Sequence, residues 1–222
     1  MQRIDAVRAP NTIVSTNTSG IPIASIAEGL SEGFRKHFLG THFFNPPRYL
    51  KLLEVIPTAD TLPEVVDLIC RFGEYRLGKG IVIAKDTPNF IANRIFSGTA
   101  SFLTDYVLQN GYSVEEVDAV TGPPIGNPKT ATFRLFDLVG LDVWEHVGKN
   151  LAPAIPHDEL ALRYMRSEAV QKLIRTMNER GWLGTKTKQG FYKKTKGQNG
   201  KKAKLALDFK LGIRVISDSF FP

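Results

Sequence analysis

The sequence predicts an α/β part followed by an all-α part, and three observations carry that division. Short β-branched or apolar runs (Thr12 to Thr16, Phe38 to Phe44, Leu50 to Ile56 and Ile81 to Ala84) are confined to the first 85 residues. From Asp86 to about Tyr192, apolar residues recur at helical spacing with no competing strand period. Beyond that lies a segment in which six lysines fall between Lys193 and Lys204. The expected organisation is therefore residues 1–85 as α/β, 86–193 as helical, and 194–222 as a basic linker or tail.

The elements follow in order. The first strand ends at Asn17-Thr18-Ser19-Gly20, which is turn chemistry. Thr61 and Glu64 have the spacing of a capping box and predict a helix with apolar positions Val65, Leu68, Ile69 and Phe72. Cys70 on that helix reads as packing. Gly78-Lys79-Gly80 breaks the helix ahead of the strand Ile81 to Ala84. Thr87 before Pro88 predicts an N-cap with proline at the first helical position, leading into the stripe Ile91, Ile95, Phe102, Leu103, Tyr106. Ser113 and Glu116 form a second capping-box pattern. Gly122 to Pro128 must be a loop, Phe133 to Val139 a helix stopping near Gly140, and Val170, Leu173, Ile174 and Met177 mark a last helix ending at Gly181. The closing apolar stretch from Leu205 is too short to fold alone.

Composition narrows the function classes. A chain of 222 residues, 42% hydrophobic and 23% charged, can bury one substantial core or two small ones. No apolar run approaches the roughly 20 residues that cross a bilayer, and no signal-peptide pattern opens the chain. The single Cys70 excludes an internal disulfide and fits a reducing compartment, so a cytoplasmic setting is expected. The net charge of +7 is concentrated in the lysine run. Such a run is expected to be a solvated linker; it lacks the interleaved aromatics of a nucleic-acid arm, and a basic surface also suits a small anionic ligand. No metal-ligand spacing appears.

The most informative stretch is Gly40-Thr41-His42-Phe43-Phe44-Asn45-Pro46-Pro47, followed by Leu52-Leu53-Glu54-Val55-Ile56. It places one His in an aromatic, proline-braced turn and one Glu in an apolar run. A neutral imidazole can take a proton near neutral pH, and a carboxylate can fix its tautomer and stabilise the imidazolium.

With Asn17-Thr18-Ser19, Lys85 to Arg94, Asp137 to Asp142 and Lys186-Thr187-Lys188-Gln189-Gly190-Phe191-Tyr192, these blocks resemble the 3-hydroxyacyl-CoA dehydrogenase family over about residues 10 to 193. The resemblance implies that the α/β part is the remnant of a Rossmann-type NAD-binding domain and that the all-α C-terminal domain binds substrate and dimerises. It implies NAD as cofactor, an acyl-CoA as substrate, and oxidation at C3 in fatty-acid β-oxidation. His42 matches the catalytic base and Glu54 its partner carboxylate. Ser19 and Asn93 match substrate-side groups, and Asn45 and Lys186 match positions that approach the dinucleotide. Each has a plainer reading too: Ser19 as a turn residue, Asn93 as a buried amide between helices, Asn45 as a turn former, Lys186 as an exposed lysine. His37, His146 and His157 read as structural or surface residues.

The departures are equally specific. The family opens with a G-x-G-x-x-G turn at a helix N-terminus, and this sequence has none; Gly78-Lys79-Gly80 follows a helix and precedes a strand. The chain is therefore expected to be N-terminally truncated. Where the family carries Gly-Pro before a Phe, this chain has Ala131-Thr132 before Phe133, with Arg134 following. Leu205-Ala206-Leu207-Asp208 resembles a connector toward a fused or associated enoyl-CoA hydratase module, and Val215-Ile216 with Phe220-Phe221 suits a chain that continues. Two functions follow from these features: the dehydrogenase, or a non-catalytic acyl-CoA-binding and dimerising module.

Overall fold

The computed structural model describes residues 1–196, 202–209 and 212–215. The chain divides into two units, Met1–Arg94 and Ile95 onward, so the first unit runs past the expected boundary at residue 85.

In the first unit, strands β1 (Val14–Thr16), β2 (Phe38–Phe43), β3 (Leu52–Pro57) and β4 (Gly80–Ile83) form one sheet in that order. The outer pairings, β1 with β2 and β3 with β4, are parallel, whereas β2 and β3 are antiparallel. Parallel neighbours need a crossover. Helices α2 (Ile23–Ile26) and α3 (Glu32–Lys36) provide the first, and α4 (Pro63–Arg71) provides the second; a short α1 (Gln2–Asp5) precedes β1. The central strands are buried on both faces. Ile23, Phe34, Phe38, Ile56 and Phe90 pack on one side, and Leu39, Leu53, Val55 and Val65 on the other. Gly40 gives close packing on the first face: a Cβ there would sit 3.1 Å from the side chains of both Ile23 and Ile56.

Two expected caps are replaced by other contacts. The Thr61–Glu64 box does not form, because α4 starts at Pro63 with Leu62 as its N-cap. The Thr61 hydroxyl instead donates to the Phe38 carbonyl (2.7 Å) and accepts from the Thr58 N–H (2.8 Å), tying the loop to β2. Nor does Thr87-Pro88 start a helix. α5 (Ala92–Asn110) begins after a turn in which Asn89 and Phe90 have φ of 58° and 52°.

The second unit continues α5 and adds α6 (Val114–Thr121), α7 (Phe133–Val139), α8 (Leu141–Ala154), α9 (Glu159–Met165) and α10 (Glu168–Glu179). Its main core gathers Val107, Val114, Phe133, Phe136, Leu141, Met177 and Phe191. The Ser113–Glu116 capping box forms in both directions. Gly140 (φ 103°) ends α7, and Gly181 (φ 69°) follows α10. Ala131 adopts φ 48°, the conformation glycine takes freely, so the turn at the Gly-Pro departure keeps a left-handed residue without a glycine. Among the described residues no helix is long and apolar enough to cross a membrane.

The lysine-rich segment departs from expectation. It was expected as a linker after an all-α domain; instead β5 (Tyr192–Lys196), β6 (Lys202–Asp208) and β7 (Gly212–Val215) form an antiparallel sheet. The physical reason lies at the strand ends. Phe191, Ala206 and Leu207 are buried in the helical core, and the Leu207 N–H donates to the Phe191 carbonyl (2.8 Å). Those anchors outweigh the local charge, and Leu205 to Asp208 lies in β6 with Ala206 and Leu207 in the core. Residues 197–201 of the lysine run, and Ile216, Phe220 and Phe221, lie outside the described residues.

Two buried carboxylates hold this unit together. Asp118 accepts the N–H groups of Thr132, Phe133 and Arg134 at the start of α7 and the Tyr192 hydroxyl. Asp137 accepts the N–H groups of Phe191 and Tyr192, each at 2.8 Å. Burial pushes the Asp137 carboxyl up to about 6, against the pull of those two N–H donors and with help from the charge of Asp118. A carboxyl whose folded value is raised contributes most below its unfolded value, and that contribution is lost as pH rises through 6. The stability difference between wild type and Asp137→Asn should therefore shrink by about 2–3 kcal/mol between pH 4 and 7, read from paired urea titrations. A difference that grows with pH would contradict the assignment.

Candidate active site

The β2–β3 register sets His42 directly opposite Glu54. Facing residues of an antiparallel pair project to the same side of the sheet, so the two side chains meet without help from a turn. His42 is thus placed by a strand, not by the proline-braced turn expected for it. Nδ1 lies 2.7 Å from Glu54 Oε2, with His42 6% and Glu54 1% exposed. The other carboxylate oxygen, Oε1, accepts the N–H of Ala92 (2.8 Å) and of Ile91 (3.2 Å). Glu54 therefore does two jobs, orienting the imidazole and capping α5.

This arrangement fixes the proton inventory. An ionised carboxylate only accepts, so Nδ1 carries a proton, and in the neutral imidazole the lone pair is then on Nε2. Burial is the largest influence on Glu54 and pushes its pKa up. The His42 hydrogen bond, the Ala92 N–H, the His42 charge and the Ile91 N–H together overcome it and leave the carboxyl below its usual range. Phe44 and Phe90 stand edge-on to the imidazole, with centroids 4.5 Å and 5.5 Å away.

The other expected residues distribute unequally. Ser19 is half-buried in the bend after β1. That bend is fastened beside the dyad, because Asn17 Oδ1 accepts the Phe43 N–H (2.7 Å) and the Thr41 hydroxyl donates to Ser15 (2.9 Å). Asn93, half-buried, follows Ala92 in the first turn of α5 and so starts from the backbone that Glu54 holds. Asn45 is exposed in the turn after β2. Lys186 lies in the second unit, in the turn Thr185–Thr187, with its ammonium bonded to Asp142. His37 bonds the Gly33 carbonyl and His146 bonds Asn150, in keeping with structural or surface roles.

Three contributions have no plain sequence signal: the α5 cap from Glu54, the Asn17 anchor, and the Phe44 and Phe90 walls. Asn17 and Phe90 stood inside motif blocks, but nothing in their spacing gave these contacts.

Residues 1–87 match the family model described as 3-hydroxyacyl-CoA dehydrogenase, NAD binding domain, and residues 90–194 match 3-hydroxyacyl-CoA dehydrogenase, C-terminal domain. The chain belongs to the 3-hydroxyacyl-CoA dehydrogenase family. It is 51% identical over 191 residues to the Bacillus subtilis protein named "Probable 3-hydroxyacyl-CoA dehydrogenase", covering 86% of this chain and 24% of that protein. A Deinococcus radiodurans protein of the same name is 42% identical over 200 residues, covering 90% of this chain and 56% of its own length. The fold is similar to the crystal structure of (S)-3-hydroxybutyryl-CoA dehydrogenase PaaH1 from Ralstonia eutropha, with TM-score 0.72 at 28% identity over 85% of this chain and 62% of that one. The chain thus spans about a quarter of the first of these curated relatives and little more than half of the second.

The family's cofactor is NAD, and the residues present can be tested against it. A dinucleotide pyrophosphate is held by a glycine-rich turn from strand to helix, whose free N–H groups face the phosphates. After β1 the next helix is α2, and its first N–H groups, Ile23 and Ala24, are already bonded to the Asp86 carboxylate at 2.8 Å each. α3 is capped by Ser31, and α4 begins at a proline that has no N–H to offer. Among the described residues, these helix starts offer no such cradle for the pyrophosphate of NAD, whereas His42 and Glu54 face each other on β2 and β3.

Proposed function

We propose that this chain carries the proton-transfer half of an NAD-dependent 3-hydroxyacyl-CoA dehydrogenase acting in fatty-acid β-oxidation. The observation that carries the reading is the 2.7 Å bond from His42 Nδ1 to a buried carboxylate whose other oxygen is held by two backbone N–H groups. NAD, when bound, would accept the hydride from C3; Nε2 takes the proton of the substrate's 3-hydroxyl as C3 becomes a carbonyl carbon, and Glu54 stabilises the resulting imidazolium. In the reverse direction the imidazolium returns that proton. Ser19 and Asn93 are assigned to the substrate's reacting oxygen, where a hydroxyl and an amide N–H stabilise developing charge. Asn45 and Lys186 are assigned to the cofactor side, Lys186 by release from Asp142. An acyl-CoA is the substrate, a hydratase module is the associated activity, and the setting is cytoplasmic. The helical unit is assigned to homodimerisation, supported by Ile95, Phe102 and Tyr106, which α5 leaves 64%, 40% and 45% exposed.

A specific observation also supports the second reading, a non-catalytic acyl-CoA-binding module: the first two N–H groups of α2 are taken by Asp86 and so do not face a phosphate. Acetoacetyl-CoA-dependent oxidation of NADH by the purified chain separates the two. Turnover that His42→Gln abolishes supports the enzyme, whereas binding of acetoacetyl-CoA without turnover supports the module. In an enzyme complete with its cofactor domain, His42→Gln should slow the chemical step roughly 10²–10⁴-fold. An unchanged single-turnover rate would remove His42 from the mechanism.

A further inference from the structure

Between β4 and α5 the chain takes a course that L-residues avoid. Asn89 and Phe90 are consecutive, both left-handed (φ 58° and 52°), and 6% and 3% exposed. A left-handed backbone costs an L side chain free energy, and Asn tolerates it better than most residues while Phe does not. Such strain persists only where the surroundings over-determine it.

Here the surroundings are the dyad. The segment is tethered ahead of the strained pair by Asp86, which accepts the Ile23 and Ala24 N–H groups. The Phe90 N–H closes a turn on the Thr87 carbonyl at 2.9 Å. The reversal at Asn89-Phe90 then does two things at once. It lays the Phe90 ring edge-on to the His42 imidazole at 5.5 Å and 63°. It also aims the next two N–H groups, Ile91 and Ala92, at Glu54 Oε1. A helical course from Pro88, which the sequence favours, would direct those N–H groups along the helix instead.

We propose that Asn89 and Phe90 are positioning residues for proton transfer at His42, the strained pair holding the Glu54 carboxylate from behind so that its other oxygen fixes the imidazole tautomer. This inference deepens the assignment of His42 as the base and rests on it. Phe90 supplies a steric wall for the ring. Asn89 supplies the backbone conformation that only it and glycine adopt readily at that point.

The test is spectroscopic and needs no cofactor. In the full chain labelled with ¹⁵N-histidine, long-range ¹H–¹⁵N correlation distinguishes the His42 tautomers, and the Nδ1 proton bonded to Glu54 gives a downfield signal. Wild type and Asn89→Gly should both show the Nδ1–H tautomer with that signal, since glycine adopts φ near 58° without cost. Asn89→Val, whose branched side chain disfavours that φ, should lose the signal and show mixed tautomers. Phe90→Leu keeps the apolar burial but removes the ring edge, and should broaden or shift the signal even if the valine variant does not fold. A wild-type tautomer and signal in folded Asn89→Val would overturn the role of Asn89. An unaltered His42 spectrum in Phe90→Leu would overturn that of Phe90. Neither result bears on His42 as base, which stands or falls on the His42→Gln rate.

Discussion

In an enzyme complete with its cofactor domain, Glu54→Gln is expected to slow the proposed dehydrogenation step roughly 10²–10⁴-fold, the range of a lost general base, while leaving most of the fold's stability intact. The carboxamide has one acceptor and one donor group where the carboxylate has two acceptors. Two N–H groups, from Ile91 and Ala92, converge on Oε1, and a single ring nitrogen faces Oε2. The amide oxygen therefore turns to the backbone donors, and the NH₂ turns to Nδ1. An NH₂ facing Nδ1 requires that nitrogen to accept, which moves the imidazole proton to Nε2 and removes the base. Glu54→Ala differs in kind. It strands two backbone N–H groups and the Nδ1 proton in a site where Glu54 is 1% exposed. At about 1–3 kcal/mol for each buried group left unsatisfied, part of it recovered by water in the gap, a loss of about 3–5 kcal/mol is expected. Urea titration and single-turnover rates separate the variants, and a glutamine variant that reacts at the wild-type rate would refute the orienting role. The two should also differ from wild type in acid. The Glu54 carboxyl is held below its usual range, so its contribution is present above the unfolded carboxylate value and is lost as pH falls through the lower folded one. Stability in Glu54→Gln should fall less steeply on the acid side.

How much of this was legible in the sequence depends on the range of the interaction. His42 and Glu54 sit on two apolar runs separated by a proline turn, so two strands were readable, while the register that sets the pair face to face is a property of the sheet. The Ser113–Glu116 box was readable because both partners lie within one turn. Thr61–Glu64 and Thr87-Pro88 had equally good local spacing and failed. Thr61 finds Phe38, 23 residues away, and α5 takes its cap from Glu54, 37 and 38 residues away. Local propensity offers a cap; the tertiary structure decides whether it is used. The lysine run shows the same limit. Its charge density suggests a solvated tail, yet Phe191, Ala206 and Leu207 suffice to pin the strands to the helical core.

Gly184→Ala should be among the most damaging single-methyl additions in the second unit, at about 3–5 kcal/mol. Two independent causes combine. Gly184 has φ +100°, a region closed to residues with a Cβ, and strain of that kind costs about 1–3 kcal/mol. The added Cβ would also lie 2.3 Å from the Asp137 carbonyl oxygen and 2.7 Å from its Cα. Those are backbone atoms of α7, so no rotamer change relieves the overlap, and overpacking adds about 1–3 kcal/mol. The contact joins two motif blocks that are distant in the sequence. Asp137 to Asp142 and Lys186 to Tyr192 are the two halves of one joint, in which Asp137 accepts the Phe191 and Tyr192 N–H groups and bare glycines let the backbones touch. Gly181→Ala is the control. It too has positive φ, +69°, but a Cβ there meets nothing within 4 Å, so only the conformational cost of about 1–2 kcal/mol applies. Urea unfolding followed by fluorescence of Trp182, beside the joint, compares the two. Equal losses would mean that the approach of Gly184 to Asp137 is not close; a gap of about 2 kcal/mol or more would make that joint, and not the catalytic chemistry, the reason for glycine at this position.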